Sequence, residues 1–128
     1  VPVRTIDSLD LPACHMIKID VEGMEQEVLG GAGATIERHR PVLYVENDRD
    51  DKSRGLIEAI LKLGYRAWWH LPPLFNPNNY RGARENIFGG IISINLVCLH
   101  SSVPAQMQGF REVTSPDDHW REPQPASA

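Results

Sequence analysis

Two hydrophobic periods alternate along the chain. Val1 to Ile6 predicts a short strand, and Asp7 to Pro12 a polar break. Met16-Ile17-Lys18-Ile19-Asp20-Val21 is rich in β-branched residues and bounded by Gly23, which predicts a second strand. The period then lengthens: Met24, Val28, Leu29, Ala32 and Ile36 fall near helical spacing. Glu22, Glu25 and Glu27 stand at the front of this stretch and Arg38, His39 and Arg40 at the back, an order that suits a helix dipole. Gly30, Gly31 and Gly33 each weaken such a helix by about 1 kcal/mol relative to Ala, and predict close packing on a sheet. Pro41 stops the helix and opens Val42-Leu43-Tyr44-Val45, a run read as apolar at every position. A strand apolar on both faces predicts a sheet with helices on both sides.

Asp50, Asp51 or Ser53 is placed to cap a second helix with the stripe Leu56, Ile57, Ile60 and Leu61, and Gly64 suits its C-terminal turn. Tyr65 to Leu71 and Ile91 to His100 read as strands, joined by a Pro-, Asn- and Gly-rich loop from Pro72 to Gly90. The alternation predicts an open α/β sheet with right-handed crossovers. The last strand follows without a helix, so it is expected antiparallel to its neighbour. From Ser101 to Ala128, Pro is scattered among Ser, Gln and charged residues, and a mostly disordered tail is expected.

Composition narrows the class. A chain of 128 residues, 41% hydrophobic and 23% charged, makes one ordinary globular domain. The net charge of −4 without a basic stripe argues against nucleic acid, and no apolar run reaches membrane-spanning length. Cys14 and Cys98 have no metal or redox spacing and read as reduced thiols of a cytoplasmic protein. The chain starts at Val1, without Met or a signal segment, and is expected to be cut from something longer.

The ordered set Ile17-Lys18-Ile19-Asp20-Val21-Glu22-Gly23-Met24-Glu25, Val28-Leu29-Gly30-Gly31-Ala32 and Arg40-Pro41-Val42-Leu43-Tyr44-Val45-Glu46 closely resembles the FkbM-type methyltransferases. Val1 to Asp7 resembles the short strand before that hallmark, and Phe75 to Tyr80 with Glu85 to Phe88 a loop of many members, so the likeness runs over about residues 1 to 100. It implies the second half, strands four to seven, of a class I methyltransferase fold, a Rossmann-like doubly wound sheet. It implies S-adenosylmethionine as cofactor, with Asp20 beside it. In the family the first half carries a Gly-containing loop and an acidic residue that grip the cofactor, and no such turn precedes Ile17. The glycines at 30, 31 and 33 sit in a helix pattern and are not a cofactor cradle. The isolated chain is therefore expected to bind the cofactor weakly, to be inactive and to self-associate through the uncovered Ile17, Ile19, Val28 and Leu29.

In an open α/β sheet, ligands sit beyond the carboxyl ends of the parallel strands. Those ends carry Asp20 and Glu22, Glu46 and Asn47, and His70, and the loop from Pro72 to Gly90 lies at the same edge. Methyl transfer to a hydroxyl needs an aligned nucleophile and a proton acceptor. Asp20 and Glu22 are expected on one side of an extended chain, each raising the other's pKa; alternatively one caps the next helix and the other is solvated. Glu46 and Asn47 suit substrate hydrogen bonding, and with Asp20 they would also make an oxygen-rich cation site. His70 is a candidate base or a merely packed histidine. Asn76, Asn78, Asn79 and Tyr80 suit a hydroxyl-rich acceptor such as a glycan, or simply form turns. Trp68 and Trp69 point to opposite faces, so at least one belongs to the core. The favoured reading is an O-methyltransferase acting on a hydroxyl of a sugar, glycolipid or secondary metabolite; the rival is a non-catalytic binding module. A phosphorylated receiver domain is disfavoured, because no lysine follows Glu46-Asn47.

Overall fold

The computed structural model describes residues 2–123; Val1 and the last stretch of the expected tail, 124–128, lie outside the described residues. In chain order the elements are a 3-10 turn (Asp7–Leu9), β1 (Met16–Ile19), α1 (Glu25–Gly30), α2 (Gly33–His39), β2 (Val42–Glu46), α3 (Asp50–Lys62), β3 (Tyr65–His70), β4 (Asn95–His100) and β5 (Arg111–Glu112). The strands form one mixed sheet in the order β1-β2-β4-β3-β5. β1 and β2 are parallel, and β4 runs antiparallel between β2 and β3, the direction its helix-free connection predicts. The fold is a small α/β sheet. The expected strand before Asp7 does not form; residues 2–5 have no regular structure.

Strand alternation sorts the residues. One face carries Ile17, Ile19, Leu43, Val45, Leu96, Cys98 and Trp69, and these pack with Leu29, Ile36, Leu56, Ile57 and Ile60 of the helices. The opposite face carries Lys18, Tyr44, Glu46, Val97 and His70, exposed or half-buried, together with the buried Trp68 and Asn95. Helices thus cover one side of the sheet, not the two expected from Val42 to Val45. Tyr44 and Glu46 explain the difference: β2 is fully apolar only at Leu43 and Val45 of its inner row. Ile17 and Ile19 are 8% and 1% exposed, so the apolar surface expected to lie bare on β1 is covered by the helices. Both Trp68 and Trp69 are buried, with the Arg66 guanidinium 4.8 Å over the Trp68 ring.

The helix expected from residue 24 to residue 39 is two helices. Asp7 reaches across from the N-terminal segment and accepts hydrogen bonds from the backbone N–H groups of Ala34 (3.0 Å) and Thr35 (2.8 Å) and from the Thr35 hydroxyl (2.7 Å). That supplies a second helix N-terminus with a carboxylate acceptor and restarts the helix there. Gly31 approaches Thr5, where an added Cβ would come within 3.2 Å of Cγ2; Gly30 and Gly33 meet nothing. Close approach is therefore needed at one glycine, against the N-terminal segment and not the sheet. In α3, neither Asp50, Asp51 nor Ser53 is the cap: the cap is Arg49, whose side chain does not bond to the helix N-terminus. Gly64 takes the left-handed conformation expected of it, with φ +80°.

The stretch after His100 departs most from expectation. Residues 101–123 return along β3, where β5 pairs Glu112 with Trp68 and Arg111 with Trp69. Val113 is buried, and its N–H donates to the Ala67 carbonyl at 2.9 Å. Asp118 accepts from Trp69 Nε1 (3.0 Å), Arg111 (2.6 Å) and the Thr114 N–H (3.1 Å). Asp50 of α3 binds Arg121 at 2.9 Å and His119 at 3.1 Å. A few anchored residues outweigh a composition that, averaged over the segment, reads as disorder.

Asp118→Ala leaves the Trp69 N–H and Arg111 without this acceptor, and it is expected to cost about 1–3 kcal/mol in urea unfolding. An unchanged midpoint would show that the returning segment contributes nothing to stability.

Candidate active site

The carboxyl end of β1 is shaped by a tight reversal. Glu22 and Gly23 both have left-handed backbone, with φ +56° and +96°. Glycine adopts this freely and glutamate does not, so Glu22 is held there by its surroundings. Glu25, buried at the start of α1, accepts hydrogen bonds from the N–H groups of Val21 (3.3 Å) and Gly23 (3.0 Å). Lys52 of α3 donates to the Gly23 carbonyl at 2.6 Å. Arg49 forms an ion pair with Glu22. No side chain caps α1; Glu25 instead clamps the turn that precedes it.

Asp20 follows the last residue of β1, and Glu46 is the last residue of β2. Because Ile19 is in register with Val45, the next residues, Asp20 and Glu46, come level at the sheet edge. Carboxylate oxygens of Asp20, Glu22 and Glu46 lie within 4.8 Å of one another. The charges are shared unequally. Lys18 Nζ sits 2.6 Å from Asp20 Oδ2, and this hydrogen bond holds the Asp20 carboxyl below its ordinary value. Glu46 is pushed up to about 7, first by burial and then by the negative charge of Asp20, with Asp48 and Glu22 adding to it. Glu46 Oε2 is buried and has no protein partner. Asp20 thus lacks the elevation expected of it, because the Lys18 hydrogen bond holds it down, and the raised carboxyl is Glu46.

His70 and Glu46 lie on opposite sides of Asn95, each in register with it. His70 Nδ1 lies 2.9 Å from the Tyr44 hydroxyl, and the His70 ring packs against Phe110. Sequence alone assigns Tyr44 and Asn95 no chemical role of their own; the alternation that places Tyr44 beside Glu46 on one face is the signal that finds it. Asn47 does not reach this face. It is buried, its amide donates to Ser53 at 3.0 Å, and it secures the entry to α3. The loop amides are also committed: Asn76 Oδ1 accepts from the Asn78 N–H, and the Asn79 amide binds the carbonyls of Asn76 and Ala83. Asn76 and Asn79 build turns, while Asn78 and Tyr80 are exposed.

The carboxylate trio has the hard oxygen donors that a divalent cation prefers. For a nucleoside cofactor the fit is poor. The turn after β1 is closed, since an added Cβ at Gly23 would lie 3.1 Å from Lys52 Nζ. A cavity of about 530 Å³ lies at the opposite end of the sheet, lined in part by Arg40, Lys62 and His100. Another, of about 350 Å³, is bordered by His70 and Phe110. Neither is lined by the carboxylates. The space at Gly23, in the turn beside the trio, is thus filled by Lys52 and not open as a backbone cradle.

Residues 1–67 match the family model of the methyltransferase FkbM domain. The match spans the segment from the N-terminus into β3 and includes all three carboxylates, but not the loop of Phe75 to Phe88. No curated protein and no solved structure matches the chain.

Glu46 should titrate near 7 by carboxyl-carbon NMR. Its folded pKa lies above the ordinary 4.5, so its contribution to stability is full below that value and is lost as the pH rises through about 7. Glu46→Gln should flatten that decline in stability between the two values. A midpoint at the ordinary carboxylate value would remove the coupling to Asp20.

Proposed function

Because the chain belongs to the methyltransferase FkbM domain family, we propose that it forms the acceptor side of an S-adenosylmethionine-dependent O-methyltransferase. The cofactor supplies the methyl group. The described residues offer it no cradle, so we assign its binding to residues outside them and the isolated chain to an inactive state.

Glu46 is the proton acceptor for the hydroxyl of the acceptor. The observation that carries this role is its pKa of about 7 at the carboxyl end of a central strand. A base with that pKa is half deprotonated at neutral pH yet still basic enough to take a proton. Burial lifts the value first and the charge of Asp20 adds to it, while Lys18 holds Asp20 in its ionised form. Oε2 makes no hydrogen bond to the protein, so a small rotation of the side chain would free it for the incoming hydroxyl. Tyr44 and His70, farther along the same face, orient the acceptor. The acceptor class is a small molecule or glycan bearing a free hydroxyl. No described helix is long and apolar enough to cross a membrane, and the free thiols Cys14 and Cys98 fit a cytoplasmic setting.

A second reading, a non-catalytic binding module, is favoured by the closed turn at Gly23. Methyl transfer from labelled cofactor, assayed in a protein that joins this chain to a cofactor-binding half, separates the two. Glu46→Gln is expected to lower turnover by about 10²- to 10⁴-fold, with the fold intact. Asp20→Asn should move the rising limb of the pH–rate profile downward, because it removes a charge that lifts Glu46. Wild-type turnover in Glu46→Gln would sink the assignment. Stripping divalent metal should leave the rate unchanged; a loss restored by added cation would make the trio a metal site instead.

A further inference from the structure

The hairpin joining β3 to β4 continues past the sheet edge as an arm. Ser93 N–H donates to the Pro72 carbonyl at 2.9 Å, and Leu74 N–H to Ile91 at 3.0 Å, so two more rungs extend the ladder beyond His70 and Asn95. At the tip is a cavity of about 380 Å³ lined by Leu74, Phe75, Ala83, Ile87 and Phe88, with Glu85 among its lining residues. Ligand sites commonly occupy about 300–1,000 Å³.

The asparagine amides that line this cavity are already used. Asn79 binds backbone at Asn76 and Ala83, and Asn76 holds the Asn78 N–H. These closed turns shape the cavity and leave little to read a sugar hydroxyl. Its apolar lining, by contrast, stands in water: Leu74 is 47% exposed, Ile87 76% and Phe88 42%. Exposed apolar groups gathered around a concavity mark a binding site more often than scattered ones do. Glu85 adds a negative charge, which disfavours an anionic occupant.

We propose that this cavity holds an uncharged apolar portion, alkyl or aryl, of the acceptor molecule. The inference rests on the reading of the chain as the acceptor side of a methyltransferase, and narrows the acceptor from a bare glycan to a molecule with an apolar part. The arm that carries the cavity is rooted at His70 and Asn95, and Asn95 pairs with Glu46.

The test uses the 128-residue chain and the neutral fluorescent probe N-phenyl-1-naphthylamine. Saturable binding is expected, about tenfold weaker in Phe88→Ser and in Ala83→Trp, which respectively removes an apolar wall and fills the space. Phe110→Ser, on the sheet face, should leave it unchanged. An anionic naphthalene sulfonate should bind more weakly than the neutral probe, and Glu85→Gln should narrow that gap. Equal binding in all the loop variants would overturn the proposal, as would sedimentation showing that the cavity is closed by a second copy of the chain. Glu46→Gln should not alter probe binding. Probe binding without methyl transfer in the joined protein would therefore sink the catalytic reading alone, and methyl transfer without probe binding would sink the cavity alone.

Discussion

Every strand of the sheet sends one row of side chains toward the helices and the next row away from them. The inner row is Ile17, Ile19, Leu43, Val45, Leu96 and Cys98, and it is almost free of polar atoms. Once that row is fixed against the helices, the alternation leaves no choice for the outer one. Lys18, Tyr44, Glu46, Asn95 and His70 must then stand together on the far side. A slip of one residue in β2 would bury Glu46 and expose Val45. The chemistry of the site and the packing of the core are thus two consequences of a single register.

The same constraint explains why Glu46 has its unusual acidity. It is half-buried at the end of a strand, close to two other carboxylates, with the nearest lysine committed to Asp20. Removing the helices would remove the register, and with it the proximity. The turn at Glu22 and Gly23 adds to this. Its left-handed backbone is held by Glu25 and Lys52, so the third carboxylate is kept near the first two by contacts that lie behind the site.

Much of the fold could be read from periodicity. Four of the strands, the position of α3 and the antiparallel last long strand follow from local pattern, and so does the convergence of Asp20, Glu22 and Glu46 at one edge. What local pattern misses is long-range contact. Asp7 caps α2, which begins more than twenty residues later, and Asp118 reaches back to Trp69 on β3. Neither bond has a signature at its own position. Asn47 was indistinguishable from Glu46 as a strand-end polar residue; only the phase of the strand sends it to Ser53 instead of the open face. In the loop, Asn76 and Asn79 make the hydrogen bonds of turns, which their residue type alone leaves open.

The strand order leaves the sheet with two unlike borders. On one side β5 and the returning segment lie along β3 and occupy its hydrogen-bonding groups near Trp68 and Trp69. On the other, β1 has no partner strand among the described residues, and its outer N–H and C=O groups face away from the molecule. Growth of the sheet is therefore directional. A further strand, from the same polypeptide or another, has an unoccupied ladder at β1 and an obstructed one at β3. Such a strand would lie next to Lys18 and Asp20, at the border where the carboxylates gather.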